Sequence, residues 1–123
     1  MRASDFRDSS LLVHEASIRD AVVAAVVRYG HPIQRALKLR ADGSLAPLDE
    51  EAMLTRTQDL EPRWYDAGQF YWATASRWKD QTPLLSDVVP YEVPSWRVQD
   101  IDTQDDWDRA EMVFQAFNLG GAR

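Results

Sequence analysis

The chain contains no cysteine. That excludes disulfides, thiolate metal sites and cysteine nucleophiles at once. Glycine occurs only five times and histidine twice in 123 residues. His14 and His31 lack ligand spacing, so both read as structural or surface residues. Basic residues are short as well, 14 Lys and Arg against 20 Asp and Glu, for a net charge of −6. A nucleic-acid backbone is met by clustered cations, so nucleic acid is not an expected partner. No apolar run approaches the ~20 residues of a bilayer span, which argues against a membrane. Asp5 and Asp8 stand where a signal peptide needs basic and apolar character, and the expected setting is the cytoplasm.

What is present is ordinary for a soluble globular protein: 45% hydrophobic and 28% charged residues, in a length that suits one domain or part of one. Residues 4–17 mix Phe6, Leu11, Leu12 and Val13 with charges and predict a helix, with Ser4 as its cap. Residues 20–29 form a nearly unbroken β-branched run, the pattern of a strand buried on both faces of a parallel or mixed sheet. Residues 34–40 and 45–48 predict a hairpin around Asp42-Gly43. Residues 49–63 read as a long polar loop, of the kind that is functional or held by a partner. Gly68 to Ala73 predicts an aromatic strand. A short helical piece near Trp78 and an extended stretch at 84–89 follow, punctuated by Pro83, Pro90 and Pro94. Residues 104–117 predict a helix whose Trp107, Ala110, Phe114 and Phe117 fall on one stripe and read as core. The alternation indicates an α/β class, but with few strands, like the second half of a domain.

Acidity is concentrated between Asp100 and Glu111, where only Arg109 opposes it. Asp100 and Asp102 lie two residues apart at an expected strand end, so both carboxylates would point the same way and could share one hard cation. Magnesium is the natural guest, because it takes one or two carboxylates together with substrate phosphates. Thr103 and Asp106 also make a capping box, so part of this acidity equally serves to start a helix.

Four segments together resemble one family: Pro32-Ile33-Gln34-Arg35-Ala36-Leu37, Thr55-Arg56-Thr57-Gln58-Asp59-Leu60, Tyr65-Asp66-Ala67-Gly68-Gln69-Phe70-Tyr71-Trp72 and Val98-Gln99-Asp100-Ile101-Asp102-Thr103. Their order and spacing resemble the carboxyl-terminal part of the acylneuraminate cytidylyltransferases, in the pseudaminic acid cytidylyltransferase branch. The Asp-Ala-Gly-Gln-Phe-Tyr-Trp string is the discriminating piece.

The resemblance implies the carboxyl-terminal portion of a Rossmann-like nucleotide-sugar transferase sheet, with an inserted β-hairpin region at residues 39–63 through which homodimers form. It implies an enzyme that makes a CMP-sugar from CTP and a nine-carbon acidic sugar, with Mg2+ as cofactor. Asp100 and Asp102 are then the metal pair. Arg56 and Gln58 match positions facing the acidic sugar, where an Arg fork can bind a carboxylate bidentately. An exposed Arg56 paired with Asp59 or Glu61 is the competing reading. Gln34 and Arg35, just after the buried strand, sit where strand ends supply ligands. Gln69 and Tyr71 alternate with Phe70 and Trp72, so one strand face could hydrogen-bond the sugar. Tyr71 equally reads as an aromatic with its hydroxyl satisfied locally.

The family's Gly- and Lys/Arg-rich nucleotide loop has no counterpart before Asp20. Residues 1–123 are therefore expected to be a partial domain, inactive alone, with a separate amino-terminal half as a further partner. A non-catalytic dimerising remnant or interaction module is the alternative function.

Overall fold

The computed structural model describes residues 2–120, with side chains from Arg2 to Phe117. Its centre is β1, Val22–Arg28, in which the first six residues are buried. A strand this apolar needs cover on both faces and partners on both edges. β4 (Trp64–Trp72) pairs with it antiparallel on one edge and β5 (Val88–Glu92) parallel on the other. The chain is thus mixed α/β with a small sheet.

The predicted first helix is two helices, α1 (Ala3–Ser10) and α2 (Val13–Arg19). Ser9 and Ser10 hydroxyls donate to the carbonyls of Phe6 and Arg7 at 3.2 and 2.7 Å, a local competition that weakens helix continuation. Ser4 is not the cap; Asp5 accepts from the Arg2 amide at 2.7 Å instead. α2 ends at Asp20, whose positive φ of 52° lets the chain turn directly into β1. Ala16, Ala21, Val23 and Val89 form the core under these helices, with Leu12, Val13, Trp72 and Tyr91 packed around it.

The hairpin is present as β2 (Leu37–Leu39) and β3 (Leu45–Pro47), a two-stranded sheet of its own. Gly43 supplies the positive φ of 83°, and Asp42 accepts from the Ser44 amide and hydroxyl. The first strand begins at Leu37 rather than at residue 34, because Ile33–Arg35 form a 3-10 turn after Pro32. The 49–63 segment is not irregular throughout. Asp49 accepts from the Ala52 amide at 3.0 Å and caps α3 (Glu50–Leu54), and Thr57–Asp59 make a second 3-10 turn. After β4 comes α4 (Ala75–Lys79), capped by Thr74. Pro90 lies inside β5, which is tolerated because, among the described residues, that strand lies at the sheet edge.

Two expectations near the carboxyl end need correction. No strand leads directly into Asp100: Ser95–Arg97 form a 3-10 turn and residues 98–103 carry no regular structure. The two-residue alternation of an extended strand therefore does not orient Asp100 and Asp102. The final helix α5 (Gln104–Gly120) forms as expected, but its stripe is not core. Trp107 is 51% and Phe114 67% exposed, while Phe117 stacks on Trp96 at 4.2 Å between ring centroids. No described helix is long and apolar enough to cross a membrane.

Candidate functional site

The Asp-Ala-Gly-Gln-Phe-Tyr-Trp string is an irregularity built into β4. Val26 is paired with Asp66 and Ala24 with Tyr71, so a two-residue step on β1 is matched by a five-residue step on β4. The surplus is taken up around Gly68, at φ 63°, whose amide donates to Asp66 at 2.9 Å. A bulge of this kind re-aims the side chains beyond it. Tyr71 now reaches Asp66 and donates its hydroxyl to the carboxylate at 2.5 Å. That bond to Asp66, with burial and the nearby negative charge, pushes the Tyr71 phenol up to about 12. Phe70 and Trp72 pack on Phe6 of α1. Gln69 instead donates to the carbonyl of Arg97 at 3.1 Å, so Gln69 and Tyr71 have separate partners. Below the bulge, Val26, Trp64, Asp66, Leu85, Val88 and Glu92 line a groove of about 490 Å³, with the Trp64 indole donating to Glu92 at 2.8 Å.

Beyond the end of β1, Gln34 and Arg35 fasten the hairpin base to the 55–61 segment. Gln34 donates to the Glu61 carbonyl at 2.8 Å, and Arg35 to the Thr55 carbonyl. Gln34 Oε1 and Arg35 Nε remain buried without a hydrogen-bond partner among the described residues. Such atoms ordinarily meet water or a ligand. Shallow clefts open beside them, one of about 500 Å³ walled by Tyr29, His31, Ile33, Arg35 and Thr57. Arg56 and Gln58 flank Thr57 at the neighbouring 3-10 turn, both exposed. Glu61 pairs with Arg63 at 2.9 Å.

Asp100 and Asp102 are exposed on the 98–103 segment. The cap of α5 is made by other atoms: Asp106 accepts from the amide and hydroxyl of Thr103 at 3.0 and 2.6 Å, and Thr103 Oγ1 accepts from the Asp106 amide at 3.2 Å. The hydroxyl bond leads the causes that hold the Asp106 carboxyl below its ordinary range. The backbone of Asp102 contributes to the setting of the Asp106 carboxylate, whereas the exposed carboxylates of Asp100 and Asp102 are oxygen donors of the kind magnesium takes together with waters and phosphate oxygens. Among the described residues no group of three or more His, Asp or Glu side chains is placed to hold a metal.

No family model matches the chain. Two pseudaminic acid cytidylyltransferases from Campylobacter jejuni subsp. jejuni strains are each 32% identical over 92 residues, covering 74% of this chain and 40% of theirs. An N-acylneuraminate cytidylyltransferase B from Danio rerio is 33% identical over 70 residues, 57% of this chain and 16% of that protein. The chain is homologous to the carboxyl-terminal part of the acylneuraminate cytidylyltransferases.

It spans about 40% of the length of the pseudaminic acid cytidylyltransferases that it matches. Within the chain the candidate residues fall into three places: Gln34, Arg35, Arg56 and Gln58 beyond β1; Gln69 and Tyr71 at the bulge; Asp100 and Asp102 before α5. Sequence reasoning missed a fourth group, the buried Asp5, its ion-pair partner Arg97, and Tyr91, whose hydroxyl donates to Asp5 at 3.4 Å. The signal was there in spacing: Asp5, Ser9, Leu12 and Ala16 recur at helical intervals, which puts a carboxylate on the stripe that faces the sheet.

Proposed function

We propose that the chain provides the sugar-facing and metal-facing part of a cytidylyltransferase, which forms a CMP-sugar from CTP and a nine-carbon acidic sugar of the pseudaminic or sialic type. The observation that carries this reading is the 32% identity to two pseudaminic acid cytidylyltransferases over 92 residues. In the proposed reaction the sugar's anomeric hydroxyl attacks the α-phosphate of CTP and diphosphate leaves. Positioning and charge stabilisation do most of the work in such transfers. When bound, Mg2+ would neutralise charge on the phosphate oxygens, and Asp100 and Asp102 are the residues that would hold it.

The other roles are assigned by chemistry. The Arg56 guanidinium suits the sugar carboxylate and Gln58 a neighbouring hydroxyl. Gln34 and Arg35 hold the segment that carries them, and each has a buried polar atom without a hydrogen-bond partner among the described residues. Tyr71, pushed up to about 12, stays protonated at neutral pH and acts as a hydrogen-bonding group and not as a base. The triphosphate needs backbone amides and cations, which the proposal assigns to a separate amino-terminal half. Residues 39–63 form the homodimer contact in this reading, and the exposed Leu39, Leu45, Leu48 and Leu54 on and beside the hairpin favour it. Those same leucines favour the second reading, a non-catalytic dimerising module.

The test is CMP-sugar formation from CTP, Mg2+ and pseudaminic acid, by the chain alone and mixed with the amino-terminal half of a related enzyme. Product in the mixture only is the expected result. Absence of product in both, from folded protein, would overturn the enzymatic reading in favour of the dimerising module.

A further inference from the structure

The segment that carries Asp100 and Asp102 has no strand or helix of its own to hold it. Its position is set by what anchors its two ends. Downstream the anchor is the Thr103–Asp106 cap. Upstream it is Arg97, three residues before Asp100, and Arg97 is held twice. Its guanidinium pairs with Asp5 of α1, with side chains 15% and 4% exposed respectively. Its carbonyl accepts from Gln69 in the β4 bulge at 3.1 Å. Asp5 is itself fixed by the Arg2 amide at 2.7 Å and by the Tyr91 hydroxyl.

We propose that Arg97 is a positioning residue: gripped at its side chain by Asp5 and at its backbone by Gln69, it fixes where the 98–103 segment leaves the sheet and so places Asp100 and Asp102. The proposal rests on the reading of those two carboxylates as a metal pair. A buried ion pair is weak as a source of stability, since apolar residues of similar volume often serve as well. Its directional geometry is what an apolar pair would lack. Here that geometry ties α1 and the bulge, two elements far apart in sequence, to one point on the chain. The bulge gains a role in the same step, because Gln69, which lies within its extra length, reaches across to a different segment. Residues that orient metal ligands from behind commonly change affinity by about 10–100-fold when removed.

The experiment uses the full 123-residue chain, with Mn2+ as a paramagnetic probe and amide NMR as the readout. Mn2+ is expected to broaden the amides of residues 100–102. In Asp5→Asn and Gln69→Ala the concentration for half-broadening is expected to rise about tenfold, with the amides of β1 unmoved. Arg97→Lys, which keeps the charge, is expected to fall between wild type and these variants. A purely structural role would lower the unfolding temperature and leave the Mn2+ titration unchanged, and that result overturns the proposal. If Asp5→Asn does not fold, Gln69→Ala decides. If the wild-type chain shows no broadening at 100–102, the metal reading is the one that fails. Amide hydrogen exchange across 98–102 then decides the role of Arg97: faster exchange in Gln69→Ala supports it and unchanged exchange overturns it.

Discussion

Tyr71 and Asp66 are five residues apart on one strand, an odd separation that ordinarily sends side chains to opposite faces, yet the Tyr71 hydroxyl donates to the Asp66 carboxylate. The bulge around Gly68 is what brings them together. The phenol's rise to about 12 gives a direct check. The folded pKa lies above the ordinary value near 10, so the neutral phenol is favoured by folding. The stability it contributes is present below about pH 10 and is lost as pH rises toward about 12. Ultraviolet difference titration should find one tyrosine ionising last. Asp66→Asn should bring that tyrosine back toward the others, and an unchanged profile would mean the bond is not formed in solution.

Asp5 answers to the opposite end of the pH scale. Burial pushes its carboxyl up, but the Arg2 amide and the Arg97 guanidinium outweigh burial and hold it below the ordinary value. Its contribution is therefore present above about pH 4 and fades as acid protonates it. Asp5→Leu should destabilise by roughly 3 kcal/mol, because Arg97 is left as an uncompensated buried charge. The double change Asp5→Leu with Arg97→Met should recover part of that loss in urea melts. A loss in the double variant equal to the sum of the single ones would argue that the pair is not coupled.

The acidic run before α5 divides into two roles that substitution can separate. Thr103→Ala should cost about 1 kcal/mol through loss of the cap. Asp102→Asn should leave the thermal midpoint in place and weaken Mg2+ binding, as followed by calorimetry. A drop in the midpoint with unchanged Mg2+ binding would assign Asp102 to the helix start after all.

Association is the fourth property open to a simple measurement. Leu39 is 72% and Leu54 90% exposed in the single chain. Burying a leucine is worth roughly 1.5–3 kcal/mol. Leu39→Ser and Leu54→Ser together should weaken self-association at least about tenfold by sedimentation equilibrium. A wild-type chain that stays monomeric at high concentration would remove the dimer from the proposal.

The parts of the fold legible in sequence were those governed by nearest-neighbour rules. The β-branched run of β1, the Asp42-Gly43 hairpin and the Thr103–Asp106 cap each carry their reason within a few residues. The parts that were not legible depend on counting across the sheet or on distant partners. The bulge is invisible until β4 is set against β1, since an alternating aromatic pattern reads the same with or without extra residues. The exposure of Trp107 and Phe114 was not legible either, because an apolar stripe at helical spacing reads the same whether or not another element covers it. For the site, residue types were legible and their partners were not. Gln69 was read as facing a sugar, and its contact is the carbonyl of Arg97.

The extra residues of β4 also make that strand two rulers laid end to end with a slip between them. Trp64, Tyr65 and Asp66 keep one phase against β1, and Tyr71 and Trp72 keep another. A change in length on one side of Gly68 can be absorbed by the loop between them without turning the other side over. The groove end and the helix-covered end of a single strand are thereby free to diverge under separate selection.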